Sequence, residues 1–509
     1  MLWLAFAYFF RQIRKNCIFA MMNRVLSLLL FLCALSLSQV RAQNAPMPKL
    51  SATEAVADVK FLSDLFFQSH INLNLVVDTA HLRYCFDTLV SGINDSISAS
   101  QLYVRLAPVF GQIHDIHCAL ALPAESNDYL DNGGLYLPLT VFFIDSNLYV
   151  KSDKDQILPF GARIERINGI GSSEIVNTLL LISSSDGDNV YSRSEIAEIG
   201  FASHFPLFFS VDSLNTIEYY SDSTLFTDTI LGVDRNQYAN QRFFDTIFVA
   251  EKKPFLLGYS ADSAIAYMRI ASFMGGNIGE YGRFLNASFK YINRSQPECL
   301  LLDLRNNGGG YADFGKLLLR HLMPDTFVYI DNIVSKSSQI VRREMLRQSP
   351  FQPEVYRLIS TVFGSKPLRT IWKENEGLVD TTTEKIVKPV RVSALYTGFL
   401  VVTFNGLSAS TTGMVCNVLK RRPNTVFVGQ PAGCTVSGTF GQPTPFELPN
   451  SGIIGQISIL RFNQQKGEPD LTPITPDVFL ADFPAGFSTD KDPQLEALLR
   501  WIRKKIENK

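Results

Sequence analysis

Between residues 51 and 115 the apolar positions recur at helical spacing. Val56, Val59, Leu62 and Leu65 lie on one face of a helix that Ser51 and Glu54 open as a capping box. A second capping box, Ser98 with Gln101, opens a helix carrying Leu102, Leu106, Val109 and Ile113, with Pro108 predicted to kink it. This helix runs into "HDIHCAL", which holds His114 and His117. From 135 to 235 the pattern changes. "LYLPLTVFFIDSNLYVKS" predicts two strands around an Asp-Ser-Asn turn, "FGARIERINGI" a short strand closed by Asn168-Gly169, and "SSEIVNTLLLI" a short helix. Beyond 257, "AIAYMRIASF", "CLLLDL", "GFLVVTF" and "NTVFVG" are short and almost wholly apolar. Such runs suit strands buried on both faces, in a sheet covered by helices. The stretch 311–390 is more polar and partly helical, and reads as an insertion or lid between two core strands.

A chain of 509 residues is too long for one ordinary domain. Arg24, the apolar run Leu26–Leu37 and small residues up to Ala42 read as a signal peptide cleaved after Ala42, which predicts a periplasmic or secreted protein. The residues before Met21 or Met22 read as an over-extended start, with an N-terminal membrane anchor as the alternative. The predicted division is a signal peptide over 1–42, a helical region over 43–130, a β-rich module over 135–235 and an α/β core over 240–509. Lys and Arg number 47 against 48 Asp and Glu, so no basic excess points to nucleic acid. Cys85, Cys118, Cys299, Cys416 and Cys434 are odd in number and lack metal-ligand spacing; they read as small buried hydrophobes. The histidines are scattered, so no metal or cofactor is predicted.

Two segments carry candidate chemistry. In "CLLLDLRNNGGGYADFGKLLLRHL" a buried strand ends in Gly308-Gly309-Gly310 before a helix. Glycines there permit positive φ and leave backbone N–H groups bare for an anion or a developing oxyanion. The Lys-Ser/Thr of a phosphate-binding loop is missing. In "GFLVVTFNGLSASTTGMVCNVLK" a strand, a small-residue turn and a helix start place Ser410 and the Thr411 N–H at a helix N-terminus. Helix capping by Ser408, Ser410 and Thr411 is the competing account of these hydroxyls.

Together, "LLLDLRNNGGG" and "GLSAST…VFVGQPAG" resemble the tail-specific, C-terminal processing serine peptidases, a family that includes tricorn protease and the repeats of interphotoreceptor retinoid-binding protein. "HDIHCAL" resembles the segment ending that family's N-terminal helical region, and "FGARIERINGI" the second half of a PDZ-like module. "AIAYMRIASF", "TPITPDVF" and "DPQLEALLRWI" resemble successive parts of its peptidase core.

The resemblance implies a crotonase/ClpP-like α/β core with a PDZ-like module, a polypeptide substrate and no cofactor. It implies Ser410 as nucleophile, with Gly308 or Gly309 and Thr411 forming the oxyanion hole. The best-known members use a lysine base, but its position here is Thr435, and no lysine lies between Arg422 and Lys466. The tricorn-like branch uses histidine, which His117 matches. Asp470 is the first choice for orienting that imidazole, with Glu468 and Asp115 as alternatives. A catalytically inactive member that binds a peptide or an apolar ligand is the rival implication.

Overall fold

The apolar runs of the C-terminal half become neighbours in one sheet. In the computed structural model, which describes residues 49–131, 133–239, 254–274, 276–362, 364–480 and 492–507, six strands lie side by side. Their order is Val478–Phe479, Thr425–Gly429, Leu400–Phe404, Cys299–Asp303, Ile265–Ile270 and Phe255–Tyr259. All pairings are parallel except that of the last strand, which is antiparallel. The signal peptide expected over 1–42 lies outside the described residues.

Burial on two faces explains the unbroken apolar character of the central strands. Leu300 and Leu302 point to one side, into a core built with Leu285, Phe289, Leu318 and Val415 from the helices Ile278–Ser295, Ala312–Leu322 and Thr411–Leu419. Cys299 and Leu301 point to the other side, where Leu498 and Ile502 of the terminal helix Pro493–Glu507 cover them. Alternate side chains along one strand thus enter two separate cores.

The predicted β-rich stretch forms an antiparallel sheet in the order Leu139–Ile144, Asn147–Asp153, Arg163–Ile167, Leu214–Ser221, Thr224–Leu231. Its first turn has positive φ at Asp145 and Ser146, and the Asn168-Gly169 turn has φ of 50° and 79°. These are the left-handed conformations that tight hairpins require. The helices Ser172–Leu181 and Val190–Phe208 close a core around Val141, Ile164 and Phe201.

The stretch 311–390 lies between the neighbouring core strands Cys299–Asp303 and Leu400–Phe404 and contributes to a third sheet. The strands Asn332–Lys336 and Val379–Thr383 of that stretch pair with Ile454–Asn463, which also pairs with Gly438–Glu447 and with the short Ala119–Leu120. The segment is therefore a structural part of the molecule, not a separate lid. Its polar character follows from Val379–Thr383, an edge strand with every second residue exposed. Nor are the helical region and the core separate in packing. Both predicted capping boxes form, and Leu62, Phe66, Leu106 and Phe110 share one apolar cluster with Val341, Phe440, Phe446 and Ile457.

The helix Thr411–Leu419 is pressed between its neighbours. A Cβ on Gly413 would collide with Cβ and Sγ of the buried Cys434. Alanine normally favours a helix over glycine by about 1 kcal/mol. Here we expect the reverse: Gly413→Ala lowers the melting temperature, as read by circular dichroism.

Candidate active site

Two turns meet because their strands are parallel neighbours. Asp303 lies opposite Thr403, so both chains leave the sheet at the same edge, at the carboxyl ends where α/β sheets bind ligands. The turns are then bonded to one another. Asn306 N donates to Asn405 Oδ1 (2.8 Å), and Asn405 Nδ2 donates back to Asn306 Oδ1 (2.7 Å). Ser408 Oγ donates to Leu304 O (2.8 Å), and Thr411 Oγ1 to Gly310 O (2.6 Å). Gly309, at φ 97°, packs so closely that a Cβ would lie 2.7 Å from Ala409 O and from Ser410 Cβ. Only glycine fits both the angle and the space. Beneath the turns, the buried Asp303 is gripped by Arg305 through Nε (3.0 Å) and Nη2 (2.7 Å). From the antiparallel module, Glu195 accepts from Gly406 N (3.2 Å) and Leu407 N (3.0 Å).

Ser410 occupies the N-cap position with φ 54° and ψ −123°, and its side chain makes no capping bond. That conformation costs a non-glycine residue on the order of 1–3 kcal/mol and is held only by its surroundings. The other two hydroxyls are spent on binding the turns together, so capping accounts for none of the three. Ser410 Oγ forms no hydrogen bond among the described residues. The Thr411 and Gly308 N–H groups likewise donate to no acceptor among them, and Gly308 is exposed. Gly309 N donates to Asn307 Oδ1 (2.9 Å), so Gly309 shapes the turn and is not a free donor.

His117 lies with its largely buried ring beside Asp115, Nδ1 being 3.5 Å from Asp115 Oδ1. The same oxygen accepts from His117 N (2.9 Å). Asp470, the first choice for this place, is exposed in its own loop, where Oδ1 accepts from Thr472 N (2.9 Å). Glu468 is exposed as well. Asp115 therefore holds the position beside the imidazole, because a residue two places away in a tight turn is carried there by the backbone. Sequence reasoning missed two further neighbours. His70 Nε2 is 3.0 Å from Asp115 Oδ2. Asp186, from the loop between the two helices of the antiparallel module, accepts from Ile116 N (3.0 Å) and from Thr439 Oγ1 (2.7 Å). Neither carries a local sequence signal; tertiary folding alone brings them in.

The segment around Cys434 borders both halves of the site. Cys434 Sγ lies 3.8 Å from Ser410 O, and Thr439, on the strand that follows, bonds Asp186 next to the His117 turn. Thr435 is buried and donates to Gly438 O (2.8 Å), which leaves no basic side chain at that position. No hydrogen bond directly joins Ser410 to His117 among the described residues.

Residues 264–480 match the model of peptidase family S41. No curated protein matches the sequence. Among solved structures, mature CPAF is similar over 90% of this chain and 98% of its own, with a TM-score of 0.61 and 14% identity. Mature CPAF complexed with lactacystin gives 0.60 and 14%, over 90% and 99%. At such identity the likeness is one of fold.

The charges around His117 are set by burial and by each other. Burial pulls the imidazole pKa down, but Asp115 beside Nδ1 and the charge of Asp186 outweigh it and hold it above its ordinary value. Burial alone would raise the Asp115 pKa; bonds to His117 and His70 hold it below the usual carboxylate range. Asp186 is pushed up to about 6, chiefly by burial, with the Asp115 charge adding to it. An unfolded aspartate titrates near 4. Between about 4 and 6 the folded chain thus keeps a proton on Asp186 that the unfolded chain has lost, and stability from this group falls as pH rises through that window. Asp186→Asn removes the penalty. We expect its melting temperature, relative to wild type, to be higher at pH 8 than at pH 5, measured by thermal denaturation at both.

Proposed function

We propose that this chain, whose residues 264–480 match the model of peptidase family S41, is a serine-type peptidase that hydrolyses polypeptides through an acyl-enzyme on Ser410, with His117 as general base. Ser410 Oγ attacks the scissile carbonyl carbon while His117 Nε2 takes its proton. The N–H groups of Thr411 and Gly308 hold the tetrahedral oxyanion. Collapse breaks the C–N bond, and His117 returns the proton to the departing amine. Water, deprotonated by the same imidazole, then releases the acyl group. The Asp115 charge, 3.5 Å from Nδ1, favours the proton on that nitrogen, so that Nε2 is left for the reaction.

The observation that carries this reading is the backbone of Ser410. A serine held at φ 54° on a turn locked to a glycine loop, with its hydroxyl uncommitted, has the form of a nucleophile on a sharp strand-to-helix bend. On this reading substrate binding brings imidazole and hydroxyl into contact, since catalytic hydrogen bonds often tighten only in the complex.

The wider assignment follows the same relationship. The 135–235 module is a PDZ-like element that presents substrate, and the 240–509 core is of the crotonase/ClpP type. The helical region over 43–130 supplies the histidine. Export through the leader at 1–42 delivers the enzyme to the periplasm or the medium.

A fluorophosphonate probe tests the chemistry. Wild type is labelled, and Ser410→Ala is not. His117→Ala slows labelling by about 10²–10⁴-fold, the usual worth of a positioned general base. A folded wild type that takes no label, or a Ser410→Ala variant labelled at the wild-type rate, overturns the proposal.

A further inference from the structure

On the premise that His117 is the general base for Ser410, we infer that the buried His70 is a positioning residue for it, acting through Asp115. His70 lies at the C-cap of the helix Ala52–Ser69, remote in sequence from the "HDIHCAL" turn, and is 2% exposed. Its ring rests against Phe440, with centroids 5.2 Å apart. Its two nitrogens have different partners. Asn72 N donates to Nδ1 (3.3 Å), so that nitrogen carries the lone pair and the ring proton sits on Nε2. Nε2–H then points at Asp115 Oδ2, 3.0 Å away.

Asp115 is fully buried, and its two oxygens are divided between the two imidazoles. Oδ2 receives His70 and the weak Cys118 thiol donor (3.4 Å); Oδ1 receives the His117 backbone N–H and faces His117 Nδ1. An ionised carboxylate away from water needs donors on every side. His70 supplies the strong side-chain donor on the oxygen turned away from the site. It thereby fixes the plane of the carboxylate and keeps Oδ1 aimed at His117. The result is one anion that takes the His70 Nε2–H directly and lies 3.5 Å from His117 Nδ1, a buried nitrogen with no hydrogen-bond partner of its own; a proton on that nitrogen, drawn to the carboxylate, leaves His117 Nε2 as the lone pair for the serine proton.

The role predicts a sign. Removing the His70 donor destabilises the anionic form of the Asp115–His117 pair, so the pair binds its proton more tightly. The acid limb of the reaction must then move to higher pH. Among the described residues the other titratable groups facing the pair are Asp186, pushed up to about 6 by burial, and Cys118, whose thiol burial pushes well above its ordinary value. Arg461 lies over the Phe440 ring, 5.1 Å from its centroid, and stays charged.

The experiment compares His70→Gln, which keeps an N–H donor, with His70→Leu, which does not. The full chain is reacted with a fluorophosphonate across pH 5–9, in the wild-type and Asp186→Asn backgrounds. For His70→Leu we expect kinact to fall about tenfold or more with KI unchanged, and the acid midpoint to rise by about half a pH unit or more in both backgrounds. His70→Gln retains most of the wild-type rate and midpoint. A folded His70→Leu that matches His70→Gln in rate and midpoint overturns the inference while leaving the Ser410–His117 mechanism standing. An unreactive wild type overturns both. If His70→Leu does not fold, ¹⁵N-histidine NMR of the wild type decides. A neutral His70 protonated on Nε2 throughout the pH range in which labelling declines supports the role, and a proton on Nδ1, or titration of His70 in that range, refutes it.

Discussion

The parallel pairing of Cys299–Asp303 with Leu400–Phe404 governs everything else in the site. It brings the ends of two distant strands to one edge, in register. The reciprocal Asn306–Asn405 bonds then convert that nearness into a fixed relation between a glycine loop and a helix start. Gly309 is the point of closest approach, and the room it leaves is what lets Ser410 hold a backbone angle that serine otherwise avoids. The strain at Ser410 is borne by the sheet, by the Asp303–Arg305 grip below it and by Glu195 from the neighbouring module.

Local chemistry was legible in the sequence where it depended on residues close together. Both capping boxes, the Asn168-Gly169 turn, the wholly apolar core strands and the terminal helix all formed as their patterns dictate. The uncommitted state of Ser410 was not legible. Three hydroxyls in one turn are equivalent on paper, and only the positions of Leu304 O and Gly310 O show which two are occupied. Within 311–390 the edge strand Val379–Thr383 was not legible, because a strand with every second residue exposed lacks the apolar run that marks the core strands.

The histidine half of the site shows the same limit. Asp115 and His117 share a turn, so their nearness could be read; Asp470 was favoured through family spacing, yet its carboxylate is satisfied by its own loop. His70 and Asp186 arrive from a helix end and from a loop of another module. No periodicity connects them to the motif. Both bear on the imidazole's surroundings all the same: His70 bonds the Asp115 carboxylate beside it, and the Asp186 charge adds to that of Asp115 in holding its pKa up.

Among the described residues the two-residue strand Ala119–Leu120, just after His117 and Cys118, pairs with Ile454–Asn463, far along the sequence. A ribosome therefore makes the histidine turn early and its anchoring strand late. A nascent chain that has not reached that strand holds Ser410 and His117 without this clasp on the histidine turn. The histidine turn therefore takes its place only when both ends of that pairing have been made.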